Sequence, residues 1–182
     1  MPIILSRAGR PFIAPWLLAG LLGLGGCATP SSAPRDPRAT VRQHILGTAE
    51  RMIGTPYILG GEAPGGVDCS GLVRYVYRQA GIQVPRTTTE LFQAAQAQRQ
   101  VLPGDLLFFR ADGGGRISHV GIYAGGGQMI HASSGSGQVR KVSLQQPYWR
   151  RRMVGGATFL STGASPITPI TQRWPANSGP NG

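Results

Sequence analysis

The chain changes its periodicity once, and that change restricts its fold more than any other feature. Before Pro103-Gly104-Asp105 the apolar residues recur at helical spacing; after it they fall into short strand-length runs bounded by Gly, Ser and Pro. Val41, Ile45, Ala49, Met52 and Ile53 mark a first helix, capped by Thr40 or Asp36 and stopped by Gly54-Thr55-Pro56. A second helix starts at Cys69 or Ser70 and runs through Leu72, Val73, Val76 and Ala80 to Gly81, and a third covers 87–98. Strands are expected at 106–110, 117–123, 128–133, 139–144 and 153–159. Helices first and then about five strands predict an α+β domain, with N-terminal helices packed on an antiparallel sheet.

The flanks restrict the domain to about 120 residues, 41–160, enough for one small core. Arg7 and Arg10 precede an uncharged segment, 12–26, too short for a membrane span and patterned as a secretory signal. Leu24-Gly25-Gly26-Cys27 resembles the lipobox of bacterial lipoproteins, which implies a signal peptide over 1–26 and a lipid-anchored Cys27. Cleavage elsewhere without acylation is the alternative. Ala28, where an inner-membrane retention signal would show Asp, implies the periplasmic face of the outer membrane. Residues 27–40 then read as the lipidated cysteine and an extended tether, and 161–182, with four prolines and no apolar periodicity, as a disordered tail.

Charge excludes one class of partner. The formal net charge is +11, and all but one of the 18 Lys and Arg residues are arginine, yet they are scattered and form no nucleic-acid-binding stripe. Arg150-Arg151-Arg152 and Arg140-Lys141 are the local clusters, read either as solvated faces or as attractors of carboxylates or lipid headgroups. Two cysteines cannot build a disulfide framework. With Cys27 acylated, Cys69 is the one free thiol in an oxidising compartment.

Three residues carry the candidate chemistry. Cys69 opens a helix, where unpaired backbone N–H groups and the dipole favour a thiolate, so its pKa is expected to be lowered. Strand alternation puts His119 on one face with Gly121 and Tyr123, and glycine there leaves room for a neighbour. A three-residue loop, 124–126, would set His119 opposite His131 on one face; a two-residue loop would turn His131 away. The site therefore requires an odd-length loop or a compensating bulge. In this arrangement Cys69 attacks a carbonyl, His119 moves the proton and His131 orients His119. The same side chains, with Asp68 nearby, could instead hold zinc, although none of the dense ligand spacings of structural zinc motifs is present; a small buried apolar cysteine is the plainer alternative.

Six blocks then follow one another: Gly54-Thr55-Pro56-Tyr57 with Gly60-Gly61, Asp68-Cys69-Ser70-Gly71-Leu72-Val73, Pro85-Arg86-Thr87, Leu102-Pro103-Gly104-Asp105-Leu106, Ser118-His119-Val120-Gly121-Ile122-Tyr123, and Ile130-His131-Ala132. Together they resemble the NlpC/P60 family of bacterial cell-wall cysteine peptidases. The resemblance implies a minimal papain-like fold, the catalytic trio Cys69, His119 and His131, and Tyr57 helping to hold an oxyanion. It also places Asp68, Ser70 and Arg86 beside the substrate, with Asp68 alternatively an N-cap and Arg86 its ion-pair partner. The implied substrate is the peptide part of peptidoglycan, cut between D-alanine and diaminopimelate or between D-glutamate and diaminopimelate, with no cofactor. A non-catalytic wall-peptide-binding lipoprotein and an amidase or acyltransferase on the same scaffold are the rival classes. No residue pattern identifies a regulatory protein partner.

Overall fold

The computed structural model describes residues 37–160. The expected signal peptide, Cys27, most of the tether and the tail lie outside the described residues. Helix α1 (Pro37–Arg51) begins where the Asp36 alternative puts it, four residues before the start that a Thr40 cap implies and inside the segment read as tether. Proline suits a first helical position because the N–H it lacks has no partner in that turn. Thr40 therefore lies within the first turn and caps nothing. The helix buries Ile45, Thr48 and Ala49, and Met52 continues into the core, whereas Ile53 falls past the helix end and is exposed. His44 is exposed, as its position off the apolar stripe implies.

Two short strands, β1 (Glu62–Ala63) and β2 (Gly66–Val67), form a separate antiparallel hairpin that the sequence did not announce. It delivers the chain to α2 (Cys69–Gln79): the Val67 N–H donates to Pro56 O (3.0 Å) and the Asp68 N–H to Gly61 O (3.1 Å). Leu72, Val73 and Val76 of α2 have no exposed surface. Burying those three side chains contributes roughly 5–9 kcal/mol, an upper figure because the unfolded chain already hides part of them. Tyr77 adds a buried hydroxyl that donates to Gly104 O at 2.6 Å.

Helix α3 (Thr88–Ala94) starts in a capping box, Thr87 with Glu90, and is shorter than the expected 87–98. The reason is tertiary pairing: Gln96–Gln98 form β3 and bind β8 (Met153–Thr158), so the chain leaves the helix to extend the sheet. The remaining strands are β4 (Leu106–Phe109), β5 (His119–Gly125), β6 (Gln128–Ser133) and β7 (Gln138–Ser143). The sheet order is β3-β8-β4-β5-β6-β7, antiparallel throughout. The fold is α+β as expected, with six strands in the main sheet instead of about five.

The sheet is covered on both faces. Leu106, Phe108, Val120, Ile122, Ile130, Ala132 and Val139 join the core shared with the helices, while Leu107, Phe109 and Met129 pack with Trp149. Trp149 belongs to a helix absent from the sequence reading, α4 (Pro147–Arg152). Double coverage explains why β4 reads as an unbroken apolar run with all four residues buried. At the start of β4, Asp105 is buried; it accepts the Leu102 N–H (2.8 Å) and pairs with Arg42 (2.8 Å), tying α1 to the sheet.

Candidate active site

Cys69 is the first residue of α2, and Asp68 caps it by accepting the Gly71 N–H at 2.7 Å. The sulfur lies 3.6 Å from Thr88 Oγ1, and the backbone N–H groups of Val120 and Ser70 favour its thiolate. The Val120 amide is free for it because the sheet parts there. The Tyr123 N–H donates to Asp105 O, toward β4, so by alternation the amides of Ile122 and Val120 point toward β6. Pairing of β5 with β6 extends only to Ile122↔Ile130. The amide of Val120, the residue after His119, is thus among the groups that act on the thiol.

The charge state differs from the sequence expectation. Burial pushes the Cys69 thiol up, and the Asp68 carboxylate adds to it; the Thr88 hydroxyl and the amides of Val120 and Ser70 oppose the rise without reversing it. The helix-start effect is present, then, and desolvation outweighs it.

The two histidines share a face, in a register other than the expected one. Gly125↔Gln128 closes a two-residue turn on Gly126 and Gly127, both at positive φ (57° and 71°), the conformation a tight hairpin requires. A register shift between Tyr123 and Gly125 then sets Tyr123 opposite Met129. This bulge restores the side-chain parity that a two-residue turn alone would have lost. Continued past Ile122↔Ile130, the register puts His131 against Gly121, not directly against His119. A Cβ on Gly121 would lie 3.3 Å from the His131 Cβ and 2.9 Å from Met129 Sδ, so the space that glycine leaves is filled by those two side chains. His119 Nε2 meets His131 Nδ1 at 2.9 Å. Burial holds the His119 pKa down at about 4, and burial with the nearby His119 and Arg140 holds His131 at about 3. Near neutral pH the site is a neutral thiol beside neutral imidazoles.

Trp149 is the main residue that sequence reasoning missed. Its ring stacks on His119 (centroids 5.5 Å apart, planes 26° apart) and meets His131 edge-on at 4.9 Å. Phe109 supports it from below at 5.0 Å. Pro147 at the first helical position was the available signal for α4. Thr88, beside the thiol, was equally unremarked; the Thr87–Glu90 capping box fixes where that first turn begins.

Asp68, Ser70 and Arg86 are brought together, on one another. Arg86 donates to both Asp68 oxygens (3.1 and 2.8 Å) and to Ser70 Oγ (2.9 Å), and its Nε pairs with Glu62, which also pairs with Arg74 at 2.7 Å. Asp68 further accepts the Gly60 N–H at 2.8 Å. Burial works against its charge, but Arg86 and the amides of Gly71 and Gly60 keep the carboxyl below its ordinary pKa. Asp68 is thus both the N-cap and the ion-pair partner of Arg86. Tyr57 is half-buried, and its hydroxyl pKa is raised by burial and by the neighbouring Cys69 and Asp68. Among the described residues, no three His, Cys, Asp or Glu side chains form a group able to hold a metal ion.

Comparison with known proteins finds relatives of the whole domain. The gamma-DL-glutamyl hydrolase of Bacillus subtilis is 42% identical over 128 residues, covering 68% of this chain and 30% of the relative. The murein DD-endopeptidase MepH of Escherichia coli is 42% identical over 117 residues, covering 61% of this chain and 43% of the relative. A crystal structure of an NlpC/P60 family protein from Bacillus cereus superposes with a TM-score of 0.60 at 30% identity, over 66% of this chain and 40% of that one. The matches thus span less than half the length of each of these proteins. The model of the NlpC/P60 family matches residues 54–158, from the loop that carries Tyr57 to the end of β8, and the chain belongs to that family.

Proposed function

We propose that the protein is a cysteine peptidase that hydrolyses peptide bonds of peptidoglycan. The observation that carries this reading is the pairing of His119 with His131 at 2.9 Å, next in the chain to the Val120 amide that acts on the Cys69 thiol. With His119 Nε2 donating to His131 Nδ1, the Nδ1 atom of His119 is unprotonated and serves as the base. It takes the proton from Cys69 as the sulfur bonds to the substrate carbonyl carbon. It then delivers that proton to the leaving amine as the carbon–nitrogen bond breaks, and water hydrolyses the resulting thioester through the same imidazole. His131 acts through His119 and is a positioning residue. The Tyr57 hydroxyl and the Cys69 backbone N–H are the donors this reading assigns to the developing oxyanion.

Asp68, Ser70 and Arg86 border the thiol as one bonded cluster, and the exposed part of Arg86 is available to a substrate carboxylate. The name of the Escherichia coli relative supports cleavage of the D-alanine to diaminopimelate cross-link, and that of the Bacillus relative a bond to D-glutamate. A lipid-anchored Cys27 would hold the enzyme at the periplasmic face of the outer membrane, beside its substrate. Digestion of purified sacculi with wild type and Cys69→Ala, read by mass spectrometry, tests the reading. Shortened or uncrosslinked stem peptides from wild type alone are expected. Whole stem peptides freed from glycan would identify an amidase, and equal digestion by the variant would remove Cys69 as nucleophile.

A further inference from the structure

The sequence cluster Arg150-Arg151-Arg152 has no part in the site described above, yet α4 brings two of its members to a cleft. An open cavity of about 380 Å³ is lined by Arg110, Gly113, Gly114, Arg151, Arg152 and Met153, without an acidic residue. Among the described residues none of these three arginines is in an ion pair, although four other arginine and lysine side chains in the fold are. The nearest acid in sequence, Asp112, is turned to the Gly114 N–H, which it accepts at 3.0 Å. Arg152 is fixed: its guanidinium lies 4.1 Å over the Tyr148 ring and donates to Tyr148 O at 3.3 Å, while its Nε is buried with no partner. The Arg110 N–H donates to Arg152 O at 2.9 Å, joining the two walls, and the Tyr148 hydroxyl secures the intervening loop through Ala111 O at 3.2 Å.

The cleft is adjacent in the chain to two residues that pack at the candidate active site. Arg110 directly follows Phe109, whose strand partner is His119, and Arg151 and Arg152 follow Trp149, which stacks on the His119 ring. His119 is the group that protonates the leaving amine, so the amine-side fragment of a cleaved peptide lies at this ring, whose neighbours Phe109 and Trp149 are followed in the chain by the arginines of the cleft. Guanidinium groups recognise planar oxyanions through paired, charge-assisted hydrogen bonds, and Arg152 is held in place to do so. We propose that Arg110, Arg151 and Arg152 form a subsite for a carboxylate on the amine-side fragment of the substrate, so that the enzyme selects peptides whose leaving fragment carries a free carboxylate. This rests on the peptidase reading and adds the substrate chemistry on its leaving-group side.

The test uses the full chain and two peptides with the same scissile bond, the leaving fragment ending in a free carboxylate in one and a carboxamide in the other. Wild type is expected to favour the carboxylate peptide at least fivefold in kcat/KM. Arg110→Gln and Arg151→Gln should each lower that ratio threefold or more, and Arg78→Gln, which removes an exposed charge on α2, should leave it unchanged. Equal rates for the two peptides in wild type, survival of the preference in the Arg110→Gln/Arg151→Gln double variant, or an equal loss in Arg78→Gln overturns the proposal. If wild type cleaves neither peptide, the peptidase reading fails and the subsite is judged by equilibrium binding to the Cys69→Ala protein. Tighter binding of the carboxylate peptide, lost in the double variant, supports it; equal binding overturns it. Binding to phosphatidylglycerol vesicles that the double variant loses, with no discrimination between the peptides, assigns the arginines to a lipid surface and also overturns it.

Discussion

Removing the indole of Trp149 tests whether the histidine pair is kept neutral by its packing. Trp149 is 8% exposed and touches Phe109, His119, His131 and Tyr148 at centroid distances of 4.8–5.5 Å. Trp149→Ala should cost about 3–5 kcal/mol of stability from the cavity and the lost ring contacts. A typical domain has roughly 5–15 kcal/mol, so the variant is expected to stay folded at 25 °C. The functional effect comes from water reaching the imidazoles. Burial is the first cause of both low pKa values, about 4 for His119 and about 3 for His131 against an ordinary 6.5, so hydration moves them upward. At pH 5 a His119 with a pKa near 4 is about nine-tenths neutral; at a pKa of about 5.5 it is about one-quarter neutral, a fourfold loss of the base form. The acid limb of kcat/KM against pH, measured on a fluorogenic stem peptide, should therefore move up by one to two units in Trp149→Ala. Trp149→Phe, which keeps an aromatic cover, should move it less, and circular dichroism reports whether each variant is folded. A folded Trp149→Ala with an unmoved acid limb would refute the argument.

Two other outcomes follow from the same geometry. Gly121→Ala places a methyl group 2.9 Å from Met129 Sδ and 3.3 Å from the His131 Cβ, so His131 must move and the His119–His131 hydrogen bond lengthens. We expect kcat to fall by about tenfold or more with KM little changed, and a crystal structure of the variant in which both rings keep their places would contradict this. Acid unfolding supplies the second. Both histidines have folded-state pKa values below their ordinary 6.5, so the unfolded chain takes up protons first as pH falls. Their contribution is complete above pH 6.5 and is lost between 6.5 and about 4 to 3, amounting to about 3 kcal/mol for His119 alone. Asp68, its carboxyl held below the ordinary value, loses its contribution in the same direction at lower pH. Urea midpoints measured from pH 7.5 to 4 should decline, less steeply in His131→Asn than in wild type.

Much of this architecture could be read from residues whose preferences are local. The capping pattern Thr87 to Glu90, the stripe Leu72, Val73, Val76 and the turn Pro103-Gly104-Asp105 each specify their own segment, and each stands where its neighbours require. The losses occurred where a distant strand decides. Gln96–Gln98 has no apolar pattern to distinguish the tail of a helix from an edge strand, and only β8 resolves it. The hairpin β1–β2 is two residues on each side, too short to show alternation. Trp149 lies 18 residues after His131, and nothing in that spacing says that α4 folds back onto the histidines.

The hairpin between the histidines shows why a site can be legible even when its register is not. Side-chain direction in a strand depends on parity alone, so a slip of two residues preserves which groups share a face, whereas a slip of one exchanges them. The Gly126-Gly127 turn alone would have produced a slip of three, which exchanges the faces, and the irregularity between Tyr123 and Gly125 converts it into a slip of two. His131 consequently reaches His119 diagonally across Gly121, where a Cβ would crowd Met129 and His131, and the imidazoles hydrogen-bond through Nε2 and Nδ1. The Val120 amide, which favours the thiolate of Cys69, lies beyond the last β5–β6 pair, Ile122↔Ile130. With burial raising the thiol and lowering the imidazoles, no ion pair pre-exists at neutral pH. Proton transfer from Cys69 to His119 must then be coupled to arrival of the substrate carbonyl, and a solvent deuterium isotope effect on acylation above unity is the kinetic signature that distinguishes this from attack by a preformed thiolate.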